Sequence, residues 1–279
     1  MKQLISNTMF DGERPLFGLN DIRLEQLKFY PGESAVKACT NVEARQCEFW
    51  SKYPFWHNDQ VLIEDCRFTL YCRAAIWYSK NIYMRNCIVE APKMFREIDG
   101  LTIENVKFPG AAETIWNCRD VKIRNIEVQG GDYILMNVNG ADIDGFKLQG
   151  NYSFQDAKNV VVRNAYLDSR DAFWKTENVT VYDSEIIGEF LGWYSKNLRF
   201  VNCKISSTQP LCYCTNVVLE NCTMDDECDR CFEESTIQAT INSPIRSVTN
   251  PGAGFIKAES IGELIINEFC KEPGACKIL

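Results

Sequence analysis

Apolar and polar residues alternate in short runs along the chain, and the same run returns every 19 to 21 residues. One copy is Asn-Val-Val-Val-Arg-Asn-Ala-Tyr-Leu, from Asn159 to Leu167. Others start at Asp21, Asn41, Gln60, Asn81, Gly100, Asp120, Gly140, Asn178, Asn197 and Asn216. With the first residue of a copy as position zero, positions one and three are aliphatic (Val42 and Ala44, Ile82 and Met84, Val160 and Val162), while positions two and four are mostly polar. A period of two predicts a strand with one buried face. Position five is Asn or Asp in most copies, as in Asn86, Asn125, Asn164 and Asn221. These types tolerate the left-handed backbone of a sharp bend. Positions six and eight are apolar again (Cys66 and Phe68, Val106 and Phe108). Five residues before each start stands a further core column, which includes Val36, Phe55, Ile76, Phe95, Phe154, Phe173, Gly192 and Leu211.

Three strands per repeat around one apolar cylinder predict an all-β fold. The expected architecture is a single-stranded right-handed parallel β-helix with about 11 regular coils. The Leu-x-x-Leu-x-Leu-x-x-Asn spacing of leucine-rich repeats is absent. One domain is expected over 1–279, with an N-terminal cap or first coil in 1–20 and regular coils in 21–224. Atypical coils and a cap should fill 225–279, covering an open core and strand edge. Phe10, Leu16 and Phe17 are expected to pack on the first coil.

Position four carries an alternation of charge: Glu25, Arg45, Glu64, Arg85, Glu104, Arg124, Asp144, Arg163. Coils stack about 4.8 Å apart, so each charge lies between two of opposite sign, and a slip of one coil would align like charges. The gain lies in register, because an exposed ion pair contributes only about 0–1 kcal/mol.

Charge and composition narrow the partners. The net charge of −8 and pI near 5.0 argue against nucleic acid, since such binding needs Lys and Arg to displace counterions. No stretch reaches the length of a membrane span, and the N-terminal residues lack an apolar signal-peptide core. Five of the 14 cysteines (Cys47, Cys66, Cys87, Cys203, Cys222) share one core position, where a thiol acts as a small hydrophobe. Reduced thiols and a cytoplasmic location are expected.

Candidate chemistry gathers four residues before each start, in a column that includes Phe17, Lys37, Trp56, Trp77, Arg96, Trp116, Met136, Gln155, Trp174, Trp193 and Cys212. It holds five of the six tryptophans. Alternation with the core column predicts that it faces outward, as a stripe of indoles interrupted by Arg96. The next column is polar and includes His57, Tyr78, Glu97, Asn117, Asn137, Asp156, Lys175, Tyr194 and Tyr213. Aromatic faces bordered by amide, carboxylate and phenol groups suit sugar rings, and an apolar stripe this long departs from ordinary surfaces. A glycan or glycan-like ligand would take Trp56, His57, Trp77, Arg96, Trp116, Gln155, Trp174, Trp193 and Tyr194. The alternatives are self-association through the stripe, since aromatics and Arg are enriched at interfaces, and coverage of the indoles by neighbouring loops.

No catalytic set is evident. Glycoside hydrolysis needs two carboxylates about 5–10 Å apart; Glu97 and Asp156 are three coils apart, while Asp171 and Glu189 sit in successive loops. A Ca²⁺-assisted lyase would want several carboxylates in adjacent coils together with a base. Cys228-x-x-Cys231, with Cys212, Cys214 and Cys222 nearby, has metal or redox spacing, but Cys222 fits the core column. No cofactor and no metal are expected.

Several segments carry a resemblance: Gly12-Glu-Arg-Pro-Leu-Phe-Gly-Leu19, Tyr53-Pro-Phe-Trp-His57, Cys72-Arg-Ala-Ala-Ile-Trp-Tyr78, Tyr152-Ser-Phe-Gln155, Asp171-Ala-Phe-Trp174, Leu191-Gly-Trp-Tyr194 and Gln209-Pro-Leu-Cys-Tyr-Cys214. On these the chain resembles an uncharacterised bacterial family of right-handed parallel β-helix proteins, a domain of unknown function. The resemblance implies a fold like that of pectate lyases, and fold analogy does not carry activity. If the chain is an enzyme, the fold points toward a polysaccharide lyase or glycoside hydrolase. Members are sometimes labelled hydrogenase; a single C-x-x-C without a second pair does not supply a nickel–iron centre.

Overall fold

The computed structural model describes residues 2–279 and shows an all-β parallel β-helix of about 15 turns, 54% strand and without helices. The turn count exceeds the expected coils because segments at both ends also join the ladder. Gln3–Ser6 pairs in parallel with Asn20–Glu25, Gln3 opposite Ile22. Ile237–Ile241, Gly254–Lys257 and Cys276–Ile278 continue the stack after Thr215–Met224. Pro244–Thr249 and Ser260–Ile265 form a separate two-stranded parallel sheet.

Contacts cluster into two units, one ending at Lys147 and one running from Leu148 to Leu279. In the first, Ile22, Val42, Val61, Ile82, Leu101 and Val121 lie in register from coil to coil, all buried. On the adjoining side Phe10, Phe29, Phe49 and Phe68 stack with centroids 5.6, 4.9 and 4.7 Å apart. In the second, Val160, Val179, Leu198, Val217 and Ile237 form the corresponding buried row. Each row is position one of the repeat, and burying it removes a continuous apolar strip from water.

The bends come where short polar residues stand. Positions zero and five have positive φ in every copy, for example Asn41 (57°), Asn86 (53°), Asn159 (56°) and Asn221 (53°). Asn and Asp reach this region at low cost. Their amides then link coils: Asn178 Nδ2 donates to Asn159 Oδ1 (3.1 Å), Asn197 to Asn178 (2.7 Å) and Asn216 to Asn197 (2.9 Å). Gly145 stands at position five of its copy with φ at 72°, and a Cβ there would lie 2.5 Å from Asn125 Oδ1, which would have to move aside.

The third side departs from the expected strand. Among the described residues Ile76–Trp77 and Phe95–Arg96 pair as a ladder here, which a parallel bridge extends from Arg96 to Trp116; the rest of this side is mostly turn, joined by single bonds such as Phe55 N to Ala75 O (3.0 Å). The charge alternation falls in register, Glu25 opposite Arg45, Arg45 opposite Glu64 and Glu64 opposite Arg85. Buried Glu64 is gripped by both Arg45 and Arg85, whereas Glu104 accepts the Tyr83 hydroxyl at 2.6 Å. Phe17 does not pack on the first coil; it is 51% exposed, because its column points outward, and the Arg14 guanidinium lies 5.9 Å from its ring.

Candidate functional site

The indole column is outward and half-buried in each unit. In the first unit its rings stack on one another. Trp56 and Trp77 have centroids 5.4 Å apart and planes 8° from parallel. Arg96 does not interrupt the stripe; its guanidinium carbon sits 4.4 Å from the Trp77 ring centroid and 4.5 Å from that of Trp116. Lys37 Nζ closes the remaining side of Trp56 at 5.7 Å. In the second unit Trp174 and Trp193 stack at 5.6 Å and 24°, one coil on from Gln155. Both faces of Trp56 and Trp77 are therefore occupied by neighbouring coils, as is one face each of Trp116, Trp174 and Trp193.

The indole N–H groups are occupied as well. Trp56 Nε1 donates to the Ala74 carbonyl (2.7 Å), Trp77 to Lys93 (2.8 Å), Trp193 to Gln209 (2.6 Å), and Trp116 to Tyr133. Trp56, Trp77 and Trp193 fasten their coils to neighbouring ones by stacking and by a hydrogen bond to main chain. Trp56 and Trp77 thus offer ring edges to solvent, not the open faces that the sequence pattern suggested.

The outward chemistry lies one residue on. His57, Tyr78, Glu97, Asn117, Lys175 and Tyr194 are exposed, Tyr78 by 39% and Tyr194 by 45%. His57 stacks on Tyr78 (5.2 Å, 14°), and both meet Trp56 edge-on. Tyr194 stacks on Tyr213 in the same way (5.2 Å, 14°). All these residues have positive φ, 58° at His57, 57° at Tyr78 and 60° at Tyr194. Bulky side chains in this region cost on the order of 1–3 kcal/mol each, and such outliers collect at functional sites. At Ile115 and Phe154, which share the conformation, complete burial offsets the cost; exposed His57 and Tyr78 lack that compensation. Tyr78 and Tyr213 were legible as column members, but only Asn117, Asn137 and Asp156 marked this column as a left-handed corner; His57, Tyr78 and Tyr194 did not.

Other candidates are placed plainly. Cys212 faces inward although its column is otherwise outward, and Cys214, Cys228 and Cys231 are also buried. Burial pushes the thiols of Cys212, Cys214 and Cys228 up to about 12 and raises Cys231 well above its ordinary value. Thiolate, the metal-binding and nucleophilic form, is disfavoured there. Among the described residues no group of three or more His, Cys, Asp or Glu is placed to hold a metal ion. Asp171 and Glu189 do approach, but through Arg170, whose Nε lies 3.3 Å from one carboxylate and 3.4 Å from the other. Burial raises the Asp171 carboxyl above the usual range, with Arg170 opposing. Among the described residues no helix is long and apolar enough to cross a membrane.

The cysteine count has a local cause. At position six each thiol donates within its own coil and accepts from the preceding one. Cys66 Sγ donates to Glu64 O (3.2 Å) and accepts from Cys47 N (3.3 Å); Cys87 Sγ does the same with Arg85 O (3.1 Å) and Cys66 N (3.4 Å). Ser184 makes the same pair of bonds at its corner, to Tyr182 O and from Ala165 N. Two residues before each start the motif repeats, as in Ser79 with Trp77 O and Asn58 N. Small side chains with a donor and an acceptor satisfy main-chain groups that the turning backbone leaves out of the ladder.

Comparison with solved structures gives matches of low identity. The A-module of mannuronan C-5 epimerase AlgE6 from Azotobacter vinelandii matches at 11% identity and a TM-score of 0.38, covering 100% of this chain and 90% of that one. The AlgE4 A-module from the same organism gives 9% and 0.37, covering 97% and 90%. The Streptococcus pneumoniae surface adhesin PfbA gives 9% and 0.36, covering 95% and 82%. These scores carry no argument about this chain. A comparison with curated proteins gives no match. The family expected from the sequence is shown directly: the model of one family matches residues 3–279, and the chain belongs to that family, described as "Protein of unknown function (DUF3737)".

Proposed function

We propose that the chain is a carbohydrate-binding protein that takes an extended glycan along the outward column of His57, Tyr78, Glu97 and Asn117. The contacts would be hydrogen bonds and ring edges, not stacking on indole faces. The observation that carries this reading is the left-handed backbone under exposed His57 and Tyr78, a conformation that Asn would adopt at lower cost. The column offers imidazole, phenol, carboxylate and amide groups in successive coils, about 4.8 Å apart, close to the advance of one sugar ring in an extended chain. In the second unit Asp156, Lys175, Tyr194 and Tyr213 offer the same kind of row, with Gln155 beside it in the indole column. Trp56, Trp77, Trp116, Trp174 and Trp193 hold the coils that present these groups, and no catalytic step is assigned.

Titration calorimetry with a panel of neutral and acidic oligosaccharides tests this. Wild type is expected to bind at least one glycan. Tyr78→Asn should weaken that binding about tenfold or more, the loss expected when a polar contact goes, with thermal stability unchanged or higher. Binding by no glycan, or equal binding by Tyr78→Asn, would sink the proposal.

A second reading is favoured by the closed indole faces: a flat surface of aromatic edges and Arg is what interfaces between protein copies contain. Light scattering across a concentration series, on wild type and the same variant, separates the two, because only self-association makes mass depend on Tyr78. In either reading, buried thiols acting as corner hydrogen-bonding groups suit a reducing compartment such as the cytoplasm.

A further inference from the structure

Arg96 differs from the other arginines of the first unit that face a coil-to-coil column. Arg45 and Arg85 also have a buried Nε without a hydrogen-bond partner, but both give terminal N–H groups to Glu64. In the second unit Arg199 likewise reaches Glu220 at 2.8 Å. Arg96 has the buried Nε and no such carboxylate. Glu113 Oε2 lies 3.9 Å from its Nη2, beyond hydrogen-bond length, and that same oxygen takes Lys93 Nζ at 2.9 Å.

Both faces of the guanidinium are closed by Trp77 and Trp116, so an acceptor can reach it only in the plane of its N–H groups. This is the approach from which a guanidinium binds a carboxylate with two parallel hydrogen bonds. The side chain keeps 21% of its surface exposed while its Nε is buried, so the edge left to an acceptor is that of the two terminal nitrogens, and partial burial strengthens an ionic contact relative to open water. Stacking alone does not call for a cation here. Trp56 on Trp77 shows that an indole fills the same column position, and an indole needs no charged partner.

We propose that Arg96 is the docking point for a carboxylate group of an acidic glycan, held at its in-plane edge between the two indoles. The inference rests on the proposed glycan reading of the adjacent column, which places His57, Tyr78, Glu97 and Asn117 beside it to meet sugar hydroxyls. Glu113 Oε2, 3.9 Å from Nη2, opposes an anion at that edge, so the guanidinium contact must outweigh it. Lys93, engaged with Glu113, lowers that repulsion on one side.

The test uses an α-1,4-linked galacturonate tetramer, its fully methyl-esterified form, and inorganic phosphate as competitor, with the full chain and two variants. Wild type is expected to bind the acid about tenfold or more tightly than the ester, the margin of one charge-assisted pair. Arg96→Trp continues the indole stack and should fold with a thermal midpoint at or above wild type and lose the preference for the acid over the ester. Arg96→Lys keeps the charge without the planar fork and should retain only part of that preference. Equal affinity of wild type for acid and ester, or an undiminished preference in Arg96→Trp, overturns the proposal while leaving glycan binding standing. Displacement of the acid tetramer by phosphate at equal concentration overturns it too, since the site would then read any oxyanion. Failure of both tetramers and of every neutral glycan to bind overturns this inference and the glycan reading together.

Discussion

Cys87 shows what one side chain does in this fold. Its sulfur accepts the Cys66 N–H and donates to Arg85 O, so it closes a corner as much as it fills the core. Ser184 performs the same task at the equivalent position. Cys87→Ser should therefore be nearly neutral. Cys87→Ala leaves a buried N–H without a partner and should cost about 1–3 kcal/mol. Urea denaturation midpoints of the two variants check this. The sequence showed the shared position of these cysteines and their burial. It did not show the hydrogen bonds, because Cys, Ser, Thr and Asn look unrelated on a hydropathy scale while offering the same donor and acceptor.

At the scale of one coil, the strands were legible and the corners only partly so. Val42, Val61 and Ile82 announce a buried row through their period of two, and the structure stacks them in register. Asn41 and Asn86 announce bends by residue type. The corner at His57 and Tyr78 carries no such mark, since its occupants are chosen for their side chains and not for their backbone. The indole stripe was likewise readable as outward, but not as self-stacked, because column order says nothing about which way a ring plane lies. Gly192 is a related case. It stands in a column of Phe, Ile and Leu, and the space that a side chain would take is filled by Leu198 and Leu211, each with a methyl 2.8 Å from a hypothetical Cβ. With φ at 74°, Gly192→Ala meets both a clash and an unfavourable backbone. A loss of about 1–3 kcal/mol is expected, measurable as a lower denaturation midpoint.

Across the whole molecule, the thiols give a joint readout of coil closure. Twelve of the fourteen cysteines are buried, and only Cys270 and Cys276 are partly open. Burial also keeps the proton on: Cys118, Cys212, Cys214 and Cys228 are pushed up to about 12, so they stay neutral thiols well above ordinary alkaline pH. Labelling of the native protein should stop at about two groups and stay there from about pH 7 to about pH 9, because the other twelve thiols are buried and access to them does not improve in that range. Full labelling should require denaturant. Mass spectrometry of the labelled chain counts the groups, and more than two modified sites under native conditions would show that coils open locally.

The pairing of Trp56 with Trp77 has an optical side. Two indoles with centroids 5.4 Å apart and nearly parallel planes share their excited states, so their near-ultraviolet absorption and circular dichroism belong to the pair and not to either ring. The protein thus contains a built-in gauge of the distance between two neighbouring turns, readable in solution without any added dye.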